Sequence, residues 1–283
     1  MKIIVAVDSN PYSGHVAHEV GKLAVNTWAD ITIIGVLSPT EDTTVARETL
    51  KEQLVKYRRI ILDSYTSDSC PYNRDAVEQW EQTEDGYSTA RTGGGLKQLQ
   101  LLIAKGSAAQ EILLYNQRSE SDLIVISCDK DLGCSWQSGK VPMKVATEAS
   151  CSVLVVKETK EPEQVVCCLD HDHVTQYSLE MINQLVTLYG AELKIVGISD
   201  SDSLKENIEQ KMQQLLEYYN NIKLTPWLEV VDGATMPSFI SMESQKNLVA
   251  LWVGPTSFLN RFFPKKRISS FISDSPSSVL LLR

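Results

Sequence analysis

MKIIVAVDSN at residues 1–10 and EQVVCCLDHD at 163–172 set Asp8 over Asp170, 162 positions apart. ADITIIGVLS at 29–38 and AELKIVGISD at 191–200 match at the same offset. Two matched segments at one spacing mark an internal repeat, and a repeat governs how the rest of the chain is read. Further on, IAKGSA around Gly106 matches VVDGAT around Gly233, and LIVIS ending at Ser127 matches LWVG ending at Gly254, both at an offset of 127. The change of offset gives the first copy about 35 additional residues, most of them between Thr66 and Gly95. That stretch holds Cys70-Pro71, six acids and Gly93-Gly94-Gly95, the composition expected of a flexible loop.

Each copy alternates short β-branched runs with amphipathic segments. In the first copy the runs are 2–7, 31–37, 99–104, 122–127 and 152–156. This is the pattern of a parallel sheet with helices on both faces. Leu50, Leu54, Tyr57 and Ile61 recur at helical spacing, as do Leu204, Ile208, Met212, Leu215 and Tyr219, and both stripes read as core. The expected fold class is α/β, with two doubly wound, Rossmann-like parallel-sheet domains in tandem. The first spans 1–158 with its inserted loop at about 66–95, and the second spans 163–283. The polar run from Lys157 to Gln164, interrupted by Pro162, separates them.

Composition narrows the function. The 283 residues carry 27 basic and 36 acidic side chains, a net charge of −9. That balance argues against a scaffold held to nucleic acid by phosphate neutralisation. No apolar run approaches the ~20 residues of a membrane-spanning helix, and the opening segment is too short for an export signal. The expectation is a soluble, cytoplasmic protein. Six cysteines without the spacing of a zinc site are expected to be reduced and, where buried, to act as small apolar side chains.

In open α/β sheets ligands bind beyond the carboxyl ends of the strands, where the strand order reverses. Asp8 and Asp170 each end a first strand, and the loops after strand four begin at Ser127 and Gly254. The fourth helices start near Lys140-Val141-Pro142 and Lys266-Arg267-Ile268, aiming positive helix ends at the site.

With Val5-Ala6-Val7-Asp8, Ile34-Gly35-Val36, the Lys105-Gly106 turn and Cys151-Ser-Val-Leu-Val-Val156 in order, the chain resembles two tandem copies of the universal stress protein family. The resemblance implies base and ribose contacts at Asp8 and Val36, and at Asp170 and Ile198. It also implies pairing of the domains within the chain through their last strands, Val153–Val156 and Val279–Leu282, with further homodimerisation open. ATP-binding members carry two glycines three apart after strand four, then a glycine and a hydroxyl residue ten positions on. Here Ser127 and Lys130 replace the first two glycines, Gly139 is kept, and Lys140 replaces the hydroxyl. The second copy keeps Gly254 and places Lys265 and Lys266 at the final two positions.

Side chains there occupy space that glycine leaves to phosphates, while the added cations suit a bound anion. Three readings stay open. The first is a non-enzymatic stress-response regulator sensing a small anionic ligand, with ATP, AMP or another adenine nucleotide as candidates and no cofactor certain, or docking a protein partner. The second is an ATP-binding member with slow hydrolysis. The third is an adaptor with vestigial pockets that acts through the acidic 66–95 loop.

Other motifs carry less. Gly133-Cys-Ser-Trp-Gln-Ser-Gly139-Lys140-Val141 misses the phosphate-loop spacing by one residue and lacks its magnesium-binding hydroxyl. His15 and His18, or His171 and His173, lack a third metal ligand at suitable spacing. No serine sits in a nucleophile elbow. Phe258, Phe262 and Phe263 either fold down and plug the second site, the favoured expectation, or stay exposed as a protein-docking patch.

Overall fold

A computed structural model describes residues 1–8, 13–40, 42–66, 69–75, 78–83, 87–91, 94–128, 136, 140–157, 161–168, 175–199, 202–253 and 264–283. The chain divides into two compact units, Met1–Val156 and Lys157–Arg283.

Unit 1 runs β1 (Lys2–Val7), α1 (Ser13–Thr27), β2 (Asp30–Leu37), α2 (Thr44–Asp63), β3 (Trp80–Gln82), β4 (Ser88–Arg91), β5 (Leu99–Lys105), α3 (Ala108–Ser119), β6 (Leu123–Ser127), α4 (Val141–Glu148) and β7 (Ser152–Val156). Its strands lie in the order β7-β6-β1-β2-β5-β4-β3. The first five of these are parallel, and β4 and β3 add antiparallel at the far edge. Unit 2 runs β8 (Gln164–Cys168), α5 (Gln176–Tyr189), β9 (Glu192–Ser199), α6 (Asp202–Asn221), β10 (Trp227–Asp232), α7 (Met236–Glu243), β11 (Leu248–Trp252), α8 (Lys265–Asp274) and β12 (Val279–Leu282). Its strands lie in the order β10-β9-β8-β11-β12, all parallel. Both units are therefore doubly wound α/β folds.

The apolar runs become central strands because helices cover both faces, so almost every residue of β1, β6, β7 and β11 is buried. Leu50, Leu54, Tyr57 and Ile61 form the buried stripe of α2, as their spacing predicts. Thr43 caps that helix by accepting the Ala46 N–H, and Thr175 caps α5 by accepting that of Ser178. Gly190 ends α5 at a positive φ of 56°. The two units repeat each other in detail: Gly106 N–H donates to Leu37 and Gly233 N–H to Ser199, at 3.0 and 2.9 Å.

Two expectations need correction. The 66–95 segment, read as a flexible loop, carries β3 and β4 and packs inward through Tyr72 and Tyr87. Tyr72 donates its hydroxyl to the Ala29 carbonyl at 2.6 Å and meets Tyr65 edge to face. Arg58, buried on α2, donates to Glu78 at 2.8 Å and to the Asn73 carbonyl at 2.7 Å, so one of the segment's acids is held inside. Strands of three and four residues carry too little alternation to be read from sequence; pairing of β4 to β5, and of β3 to β4, makes them strands.

The second correction is one of register. Ile3 pairs with Leu123 in unit 1 and Val165 with Leu248 in unit 2, so the ladders set Ser127 over Trp252 rather than over Gly254. A two-residue slip keeps every side chain on its own face of the sheet, so the apolar pattern cannot detect it.

We expect Arg58→Ala to cost ~3 kcal/mol, because it leaves the Glu78 carboxylate without its buried partner. Limited proteolysis of the variant should cut first within 66–95, and unchanged resistance there would show that the ion pair does not hold the segment. Burial pushes the Tyr65 phenol up to about 12 and raises Tyr72 and Tyr219 as well. These groups are harder to ionise folded than unfolded, where a phenol titrates near ~10. Their contribution is complete below that value and is lost as pH rises toward about 12. The urea midpoint should accordingly fall between about pH 9 and about pH 11.5.

Candidate functional site

In unit 1 the strand order reverses between β2 and β6, on either side of β1. Pairing runs to Val7 with Gly35 on one side and to Ala6 with Ile126 on the other. Asp8, Val36 and Ser127 therefore emerge together at the carboxyl edge. Asp8 is held by its local chain: its N–H donates to the Ser13 hydroxyl at 3.2 Å, and that hydroxyl donates to its carboxylate at 2.8 Å. Burial, then the nearby Asp8 charge, raises the Tyr57 phenol from its usual value. Ser13 and Tyr57 join the site from α1 and α2. Sequence reasoning placed Tyr57 in the core and passed over Ser13, and the serine's position as first residue of a helix after an aspartate was the available signal.

Ser127 is 2% exposed, and its hydroxyl has no hydrogen-bond partner among the described residues. A buried polar group left so costs ~1–3 kcal/mol, a cost that a bound water or a ligand group would relieve. The Ser127 carbonyl accepts the indole N–H of Trp136 at 3.3 Å, and Trp136 is itself buried. An aromatic ring thus packs at the end of β6, at the carboxyl edge of the sheet. Unit 2 has a buried tryptophan at the corresponding strand end, where Trp252 closes β11. Sequence inspection passes over both: Trp136 stands among polar neighbours that give no sign of burial, whereas Trp252 closes an apolar run and reads only as part of a strand.

Lys140 stands exposed at the N-cap of α4, which has no side-chain cap, and Val141 is buried behind it. In unit 2, Lys265 opens α8 after Pro264, again without a side-chain cap, and Lys266 and Arg267 are exposed. Ile198 is buried on β9. Lys130, Gly139, Asp170 and Gly254 lie outside the described residues, as do His171, His173, Phe258, Phe262 and Phe263. Among the described residues no His, Cys, Asp and Glu cluster could hold a metal ion. His15 is half-buried on α1 and His18 is exposed.

Beyond β2, Asp42 accepts Arg47 at 2.8 Å and Lys105 at 3.0 Å. Arg47, then Lys105, holds the Asp42 carboxyl below the usual carboxylate range. This charged cluster, also absent from the sequence reading, borders the same end of the sheet.

Cys128 corrects the expectation of reduced cysteines. Its N–H donates to Val156 at 2.9 Å, and its sulfur is disulfide-bonded. Bridging depends on two Cα atoms approaching within ~7 Å, which spacing along the chain cannot reveal. Cys70, Cys151, Cys167 and Cys168 are not disulfide-bonded. Burial raises the thiols of Cys167 and Cys168, which makes them inert fillers of the β8 core.

The model of the universal stress protein family matches residues 1–157. The chain belongs to that family. No curated protein matches the sequence significantly. Among solved structures, a universal stress protein from Archaeoglobus fulgidus is 12% identical, with a TM-score of 0.59 over 99% of this chain and 96% of its own. A Pseudomonas aeruginosa protein described as a universal stress protein is also 12% identical, with a TM-score of 0.62 over 99% and 92%. The cytoplasmic domain of a prokaryotic cation chloride cotransporter is 10% identical, with a TM-score of 0.52 over 99% and 94%. At such identities the likeness concerns fold alone, and one fold serves proteins of different roles. Among the described residues no helix is long and apolar enough to cross a membrane.

Alkylation in denaturant without reductant should label Cys70, Cys151, Cys167 and Cys168 and spare Cys128. Peptide mapping by mass spectrometry reads the result, and quantitative labelling of Cys128 would remove the disulfide from the site.

Proposed function

We propose that this universal stress protein is a non-enzymatic regulator that senses a small adenine-class anion, a nucleoside monophosphate or cyclic nucleotide, at the unit 1 switch point. The observation that carries this reading is the buried, partnerless Ser127 hydroxyl at the strand edge shared with Asp8 and Val36. Asp8 and Val36 would meet base and ribose, and Ser127 and the α4 N-terminus with Lys140 and Val141 would meet a single phosphate. Backbone N–H groups and the positive end of a helix favour an anion there. In unit 2 the corresponding contacts would come from Asp170 and Ile198, with Gly254, Lys265 and Lys266 on the phosphate side.

The buried Trp136 and Trp252 at the two strand ends speak against a full triphosphate and so against slow ATP hydrolysis. The burial of Tyr72, Tyr87 and Arg58 against the inserted segment speaks against a free adaptor loop. We further infer that the two halves act as a pair within one chain and that regulation passes to a protein partner.

Calorimetry with AMP, cyclic AMP and ATP with magnesium tests the reading. AMP or cyclic AMP should bind, with ATP no tighter; tight magnesium-dependent ATP binding, or silence toward every adenine nucleotide, would sink it. Lys140→Gly should weaken monophosphate binding about tenfold, equivalent to ~1.4 kcal/mol. Unaltered affinity would remove Lys140 from the site.

A further inference from the structure

β10 is the outermost strand of unit 2 and pairs, among the described residues, only with β9. Its open side is apolar: Trp227 is 62% exposed, and Leu228 and Val230 are each 38% exposed. Proteins ordinarily blunt such an edge with lysine, a bulge or a covering segment. None of the six residues of β10 is basic. Glu229 is drawn to Lys194 of β9 at 2.7 Å, which leaves Asp232 as the exposed charge of the strand.

Unit 1 provides an internal control. β5 is the counterpart of β10, third from the first strand of its sheet and ended by the same glycine hydrogen bond. Matching Gly106 with Gly233 sets Gln100, Leu101, Leu102 and Ile103 over Trp227, Leu228, Glu229 and Val230. On β5 all four are buried, because β4 lies antiparallel along them, with Ser88 opposite Ile103, Ala90 opposite Leu101 and Arg91 opposite Gln100. The segment that supplies β4 is the insertion, and the second copy has no equivalent of it. The same edge is thus covered in one unit and bare in the other.

From this contrast we propose that the β10 edge docks an extended segment of a partner protein, added as an antiparallel strand, with small side chains over Leu228 and Val230 and a cation beside Trp227. β4 is the template for its chemistry: Ser88-Thr-Ala-Arg91 is small, small, small, basic, and Arg91 occupies the rung that corresponds to Trp227. A cation is attracted to an indole face by the negative face of the ring's quadrupole. The uncompensated acid of the edge and the net charge of −9 favour a basic segment. Extent selects a segment over a second folded copy. A six-residue edge falls far short of the ~1,000 Å² that a specific interface between globular copies buries, whereas strand addition draws its affinity from main-chain hydrogen bonds.

The probe is a synthetic peptide with the chain's own sequence GYSTART, residues 86–92, added to the full-length protein. Hydrogen exchange should show residues 227–232 protected in proportion to peptide. Substituting the peptide's arginine by alanine should weaken binding several-fold. Leu228→Lys with Val230→Lys should weaken it at least tenfold, and Trp227→Ala, which leaves the strand's buried Val231 in place, should do so by a smaller factor. Absence of protection at millimolar peptide, or equal binding by the Leu228→Lys/Val230→Lys protein with its circular dichroism unchanged, would overturn the proposal. Protection of 227–232 that rises with protein concentration alone would overturn it too, by giving the edge to a second copy. None of these readouts involves the nucleotide site, so the two proposals fail independently.

Discussion

The constraint on which the rest depends is that the first strand of each unit is hydrogen-bonded on both sides by parallel neighbours reached in opposite directions along the sheet. β1 lies between β2 and β6, and β8 between β9 and β11. Parallel pairing places all carboxyl ends at one edge, and the reversal of order parts the loops that follow. Asp8, Val36 and Ser127 meet for that reason alone, although they are separated by as much as 119 positions in the chain. Buried on both faces, these strands must be apolar throughout, so all their chemistry is displaced to the residues just beyond them.

What occupies that edge differs from what glycines there would leave. A glycine-rich turn exposes backbone to a phosphate chain. Here the Trp136 indole binds the Ser127 carbonyl, Cys128 is tied by a disulfide, and Trp252 closes the matching strand of unit 2. Both tryptophans are buried, and the Trp136 indole and the Cys128 N–H satisfy backbone acceptors from within the protein. Among the described residues the Ser127 hydroxyl remains unsatisfied. On the reading proposed above, these groups would narrow the site to smaller anions without abolishing it.

The insertion is the clearest difference between the copies, and its consequence lies at the opposite edge from the β7 side of the sheet. Tyr72, Arg58 and the pairing of β4 with β5 turn a polar, glycine-rich segment into two strands that close unit 1. Its composition suggested mobility because acids and glycines dominate the count, while the few residues that decide its structure act through contacts with α2 and β5. In unit 2 the same edge stays open, with Trp227 outermost.

The sequence by itself determined the repeat, the α/β class and the residues at the ends of the first strands, because two offsets and the periods of strand and helix are properties of the linear chain. The stripe of Leu50, Leu54, Tyr57 and Ile61 was readable for the same reason. It could not determine which residue of β11 is the counterpart of each residue of β6, since a slip of two leaves the alternation intact. Nor could it show that Ser13 holds Asp8, that Trp136 packs on Ser127 or that Cys128 is bridged. Those contacts join residues that the linear pattern does not relate, and only the parallel sheet, by gathering its carboxyl ends at one edge, decided that they touch.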